Sequence, residues 1–126
     1  MKLRINKNSI RLRLTRTEVE KFEREGRVEE TTDFPRGNCL TYGIIHDRAI
    51  EIPRVRFDHG QLMIIVPSSM AHGWASTEQV GFSHQINNQN GEPIEILVEK
   101  DFQCSGRATE NKSDLFPNPK EKSNPQ

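Results

Sequence analysis

The side chains best equipped for chemistry are the arginines at the start of the chain. Residues 1–16 carry six basic side chains (Lys2, Arg4, Lys7, Arg11, Arg13 and Arg16) and no acid. Apolar and basic residues alternate through Ile10-Arg11-Leu12-Arg13-Leu14. In an extended chain, turning Ile10, Leu12 and Leu14 to a core leaves Arg11 and Arg13 on the other face. Arg4 joins them if the first few residues pair alongside. A guanidinium is a planar fork that grips a carboxylate or phosphate through two hydrogen bonds. Arg4, Arg11 and Arg13 are therefore candidate anion-binding residues, with Lys100 of Lys100-Asp101 as a secondary one. The competing reading is an outward sheet face neutralised by Glu29, Glu30 or Glu99 on neighbouring strands, an ordinary cross-strand arrangement. Balanced total charge favours that reading. No aromatic residue interleaves with the arginines, which argues against a base-stacking platform.

Other chemistries have weaker support. His46, His59, His72 and His84 are spread singly, without the i,i+4 spacing of a zinc-binding helix and without a cysteine pair. Cys39 and Cys104 form no CxxC motif and read as ordinary thiols. Cys39 and His46 lie an odd number of residues apart, so in one strand they point to opposite faces. The Gly-x-Ser-x-Gly nucleophile motif is missing, and helix capping accounts for Ser68-Ser69. The glycines are isolated, so no phosphate loop is expected. The pattern leans away from an enzyme and implies neither metal nor cofactor.

The elements that must position these residues follow from composition and periodicity. At 126 residues, 33% of them hydrophobic and with a mean hydropathy of -0.77, the chain reads as one domain with its apolar residues concentrated in part of it. Eighteen basic and eighteen acidic residues cancel, unlike the basic excess of a dedicated nucleic-acid binder. No apolar run approaches the roughly 18 residues of a membrane helix, and no signal segment precedes the first strand. A cytoplasmic location is expected.

Leu3 and Ile5 lie in one alternation phase, and Ile10, Leu12 and Leu14 in the other. The intervening Asn6-Lys7-Asn8-Ser9 therefore marks a hairpin or a strong bulge. A helix follows. Thr15 suits its N-cap, Glu18 completes a capping box, and Leu14 with Val19 forms a hydrophobic staple. Gly26 suits the left-handed residue at its end. Strands are predicted over Val28–Phe34, Cys39–His46, Ile50–Phe57 and Val80–Ile86, and from Ile94 to Val98. Pro53 makes the third of these an edge strand or one bulged at that residue. Asp58-His59-Gly60 and the Asn90-Gly91 cluster are hairpin turns. Leu62-Met63-Ile64-Ile65-Val66 is apolar in both phases, so it should be covered on both faces and form the centre of the core. Pro67-Ser68-Ser69 opens a short helix with Met70, Ala71 and Trp74 inward. Phe102 is the last expected core residue. No internal repeat is visible.

Four apolar residues, Cys104, Ala108, Leu115 and Phe116, are scattered through residues 103–126 among Pro, Asn, Ser, Lys and Glu. A disordered tail is expected. Leu115-Phe116-Pro117 is its candidate partner-docking segment. Asn111-Lys112-Ser113 fits the glycosylation pattern but means nothing without a secretory signal.

Three strings resemble a small family of uncharacterised bacterial proteins: Asn8-Ser9-Ile10-Arg11-Leu12-Arg13-Leu14-Thr15, Val28-Glu29-Glu30, and Ile96-Leu97-Val98-Glu99-Lys100-Asp101-Phe102. The end, Ser113-Asp114-Leu115-Phe116-Pro117-Asn118-Pro119, is similar as well. The resemblance implies a bacterial cytosolic protein and brings no catalytic residues with it. A narrower likeness joins Leu62–Phe82 (strand, Val66-Pro67, short helix, Val80-Gly81-Phe82) to the swapped-hairpin units of bacterial antitoxins and transition regulators, which hold DNA with basic residues; few are present in this unit.

The expected architecture is one α+β domain over residues 1–102. It is a mainly antiparallel sheet or open barrel of about six to seven strands, with a capped helix after the first strand and one short helix. The leading functional expectation is a non-enzymatic interaction or accessory protein, contacting an unidentified protein through the tail or a sheet edge. The alternatives are a small anion- or phosphometabolite-binding module or enzyme using the basic face, and a swapped-hairpin DNA regulator.

Overall fold

The computed structural model describes residues 1–102 and Phe116. The phase change near the start is a hairpin. β1 (Lys2–Asn6) and β2 (Ser9–Leu14) pair antiparallel, with Ile5 opposite Ile10 and the turn made at Lys7, whose φ is 52°. The helix α1 (Arg16–Glu25) has the expected capping box between Thr15 and Glu18 and ends at Gly26 in the left-handed conformation. β3 (Arg27–Asp33) and β4 (Cys39–Asp47) form the second hairpin, joined through a short 3-10 turn at Pro35–Gly37. β5 (Arg54–Asp58) and β6 (Gln61–Pro67) form the third, turned at His59 and Gly60, both at positive φ. The helix α2 (Ser68–Ala75) leads to β7 (Gly81–Ile86) and β8 (Ile94–Lys100), the fourth hairpin.

The expected α+β class holds, but the single mainly antiparallel sheet does not. Among the described residues, eight strands form two four-stranded mixed sheets, ordered β1-β2-β8-β7 and β3-β4-β6-β5. At the centre of each, two hairpins join through a parallel pair, β2 with β8 and β4 with β6. Hairpins carry local turn signals; a parallel pairing between residues 9–14 and 94–100 carries none. Two smaller expectations also fail. Residues 50–53 are not strand: Pro53 lies just before β5 and is fully buried. Phe102 is 56% exposed rather than core.

One continuous core draws on Ile10, Leu12 and Leu14 of β2, Ile96 and Val98 of β8, Ile44 of β4 and Ile64 and Val66 of β6. Val19 and Phe22 of α1 and Ala71 and Trp74 of α2 join it, so both sheets and both helices share it. β6 is covered on both faces, as its sequence requires. Its outward Met63 is fully buried, as is Pro53, and Ile50 is nearly so, in the connection that passes β6 to reach β5.

The fold also contains a repeat that the sequence conceals. The order β1-β2-α1-β3-β4 recurs as β5-β6-α2-β7-β8, with equivalent pairings although the elements differ in length. Ile5 opposite Ile10 corresponds to Phe57 opposite Leu62. Leu12 beside Val98 corresponds to Ile64 beside Ile44, and Val28 opposite Ile44 to Phe82 opposite Val98. The backbone bonds repeat too. Thr41 N–H donates to the Gly60 carbonyl as Glu95 N–H does to Asn8, and His46 N–H to Gly26 as Lys100 N–H does to Val80. Phe22 and Trp74, equivalent positions on the two helices, meet with ring centroids 6.2 Å apart.

Candidate functional site

β1 and β2 bring three of the four basic candidates together. Arg4 stands directly opposite Arg11, and Lys2 opposite Arg13, on the outward face of the first sheet. The register follows from the Lys7 turn and from burial of the intervening Ile10, Leu12 and Leu14. Four cations thus form a two-by-two block on one hairpin. Beside it, on β8, Glu99 reaches both arginines of β2: its carboxylate lies 3.2 Å from Arg13 Nε and 3.5 Å from Arg11 Nε. Lys2 Nζ lies 3.3 Å from Asp101. The neighbouring acids considered from sequence therefore separate. Glu99 is in place, whereas Glu29 pairs with Arg27 and Glu30 with the Met1 amine in the region of the second sheet. Arg11 and Arg13 keep about a third or less of their side chains exposed, so their forks are held against the sheet.

Lys100 is not part of this block. It follows the inward phase of Ile96 and Val98, at the end of β8 where Leu14 leads into α1. Its ammonium donates to the Thr77 carbonyl at 2.7 Å and lies 5.9 Å from the centre of the Trp74 ring. A cleft of about 890 Å³ opens here, lined by residues of α1, α2 and the end of β8. In the tail, Phe116 is 97% exposed; Leu115 and Pro117 lie outside the described residues, as do Cys104 and Asn111-Lys112-Ser113.

One polar pair was not foreseen. Ser68 does not cap α2, whose N-cap, Pro67, makes no side-chain bond. The Ser68 hydroxyl instead lies 2.9 Å from His46 Nδ1. The signal was in the sequence as a serine at a strand-to-helix junction, but the histidine is far away along the chain. The ring's edge packs on Phe22 at 5.4 Å between centroids, and its other nitrogen faces Gly26, within 3.3 Å of where a Cβ would stand. Among the described residues no carboxylate orients it, and the pair ties β4 to α2 rather than making a catalytic triad. Cys39 is exposed at the opposite end of β4 from His46. Among the described residues, no cluster of His, Cys, Asp and Glu could hold a metal ion.

The N-terminal amine makes two close ion pairs, 2.6 Å from Glu18 and 3.0 Å from Glu30. Burial opposes its charge, but hydrogen bonds and attraction from the two carboxylates outweigh this and raise its pKa. For Glu18, burial pushes upward, while hydrogen bonds from the amine and from Thr15 win and lower it. Tyr42 is raised by burial and then by the charges of Glu30 and Glu18.

A family model covers residues 1–120, which include both sheets, both helices and most of the tail. The chain belongs to DUF7009, a family of unknown function. The DUF7009 match takes in the basic hairpin, the cleft and Leu115-Phe116-Pro117, and leaves residues 121–126 outside. No curated protein and no solved structure matches the chain. Among the described residues no helix is long and apolar enough to cross a membrane.

Proposed function

We propose that the protein is a non-catalytic accessory module that holds a short acidic segment of a protein partner on the outward face of β1 and β2. The observation that carries this reading is the pairing of like charges, Arg4 opposite Arg11 and Lys2 opposite Arg13. Like charges directly opposite in an antiparallel pair are destabilising. Glu99 offsets Arg11 and Arg13, and Asp101 offsets Lys2; an acidic segment laid along the same face adds to these contacts. The one carboxylate between Arg11 and Arg13 serves both guanidiniums, which leaves fork positions for carboxylates from outside. Neither of the two pockets described includes Lys2, Arg4, Arg11 or Arg13, and an open sheet face suits a peptide laid across it better than an enclosed metabolite. A long polyanion is disfavoured because the chain's total charge is zero.

Fluorescence anisotropy with a labelled hexaglutamate peptide tests the reading. Binding is expected at low salt, weakening steeply as salt rises. Arg11→Ala with Arg13→Ala should abolish it. Replacing both by lysine should restore only part, since charge returns without the fork. Equal affinity in the double-alanine variant, or no binding at low ionic strength, would refute the assignment.

A further inference from the structure

Because the halves correspond, each serves as a control for the other. Where β2 passes into α1 and β6 into α2, equivalent residues take equivalent places. Arg16 corresponds to Ser68, Glu20 to His72 and Lys100 to His46. On the facing helix, Ala75 corresponds to Glu23. At the β6–α2 copy the equivalent side chains are bonded to one another. His46 holds Ser68, and His72 Nδ1 lies 3.1 Å from the Glu23 carboxylate. At the β2–α1 copy the corresponding place is the 890 Å³ cleft. Two substitutions open it. Ala75 withdraws the carboxylate that Glu23 supplies in the other copy. Glu20 sits where that copy has a histidine, so the ion pair across the helices has no counterpart.

The lining left behind carries charges of both signs over an apolar floor. Leu14, Val19 and Ala75 form the floor. Arg16 and Lys100 supply two cations, and Glu20 and Glu78 two carboxylates. Asp101, also at the rim, is paired with Lys2. The cleft lies between the start of α1 and the end of α2, helix termini of opposite partial charge, which adds to the same polarity. A ligand with a single charge meets repelling as well as attracting groups; a ligand with both signs finds a partner for each. The volume falls in the range of small-molecule sites.

We propose that this cleft binds a small zwitterion with an apolar body, of the free amino acid or dipeptide class. Its carboxylate lies toward Arg16 and its ammonium toward Glu78. Titration calorimetry on the full chain, with leucine and dileucine as probes, tests this. N-acetyl-dileucine keeps only the negative charge and dileucine amide only the positive one. At least one zwitterion should bind, and at least tenfold more tightly than the blocked forms. Arg16→Ala and Glu78→Ala, both at exposed positions, should each weaken binding about tenfold without altering the fold. Ala75→Glu, which installs the residue of the closed copy, should abolish it. The proposal is overturned if neither zwitterion binds, if a blocked form binds as well, or if Arg16→Ala and Glu78→Ala both bind as tightly as the parent chain.

Discussion

Glu18 is where three stretches of chain meet. Its Oε1 accepts from the Thr15 backbone N–H at 2.8 Å, closing the capping box, and its Oε2 accepts from the Met1 amine at 2.6 Å. The amine is in turn shared with Glu30 at the middle of β3, so a cap on α1 also ties down the start of β1 and a strand of the other sheet. These bonds to the charged form outweigh burial and set the folded pKa of Glu18 below its ordinary 4.5. A carboxylate lowered in this way contributes stability above pH 4.5, and the contribution is lost as pH falls through the lowered folded value. Glu18→Gln retains an acceptor for Thr15 but removes the charge. It should cost about 1 kcal/mol at pH 7, the scale of a helix cap and its charge at a helix start. Urea denaturation at pH 7 and pH 3 checks this: the gap between variant and parent should shrink at the lower pH. A gap that stays constant would mean the charge is not what Glu18 contributes.

The hairpins carry the fold at the level of elements, and β3–β4 is closely set at Gly43. A Cβ at Gly43 would collide with the Val28 carbonyl and with Glu29 across the ladder, all in or next to backbone that cannot rotate away. Gly73, inside α2, has nothing within 4 Å of the same atom. The same substitution should therefore act in opposite directions. Gly43→Ala should destabilise by about 2 kcal/mol through forced separation of the strands. Gly73→Ala should stabilise by about 0.5–1 kcal/mol through the better helix propensity of alanine. Thermal or urea midpoints of the two variants decide it, and a Gly43→Ala midpoint equal to that of the parent would show that β3 and β4 part freely. At this scale the sequence was readable where a signal is local. Thr15, Glu18 and Gly26 mark α1, Asp58-His59-Gly60 marks a hairpin, and the two-phase apolar run marks β6 as covered on both faces. Reading failed where the deciding partner is remote. Ser68 looks like a cap because serines cap helices, and only the folded chain brings His46 to its hydroxyl. Alternation alone placed Arg11 and Arg13 on one face, Arg4 joins them through the β1–β2 pairing on which its place depended, and Lys100 follows the opposite phase, which its neighbours Val98 and Leu14 determine.

For the molecule as a whole, the decisive fact is that neither half is a domain. Each sheet takes one hairpin from each half, and the parallel pairs β2–β8 and β4–β6 close the seam. The repeat escapes the sequence because the equivalent positions keep apolar character and little else: Ile10 with Leu62, Val19 with Ala71, Phe22 with Trp74. Apolarity is what a shared core demands, and many residues satisfy it. The outward positions diverged, with Arg11 and Arg13 on one side corresponding to Met63 and Ile65 on the other, which separated the surfaces while the core stayed alike. This arrangement sets how the chain can be divided. Residues 1–48 alone would leave β2 and β4 as unpaired edges with Ile10, Leu12, Leu14 and Ile44 uncovered, and residues 49–126 would leave β6 and β8 so. A break between Arg48 and Ala49, both exposed, removes no paired strand. The two fragments should each lack cooperative structure by circular dichroism when separate, since exposed edges and apolar faces of this kind are not stable in water. Mixed, they should form an equimolar complex with the spectrum of the intact chain and a midpoint that rises with concentration. Either fragment folding as a monomer would contradict the shared core, because half of each sheet would then suffice to bury it.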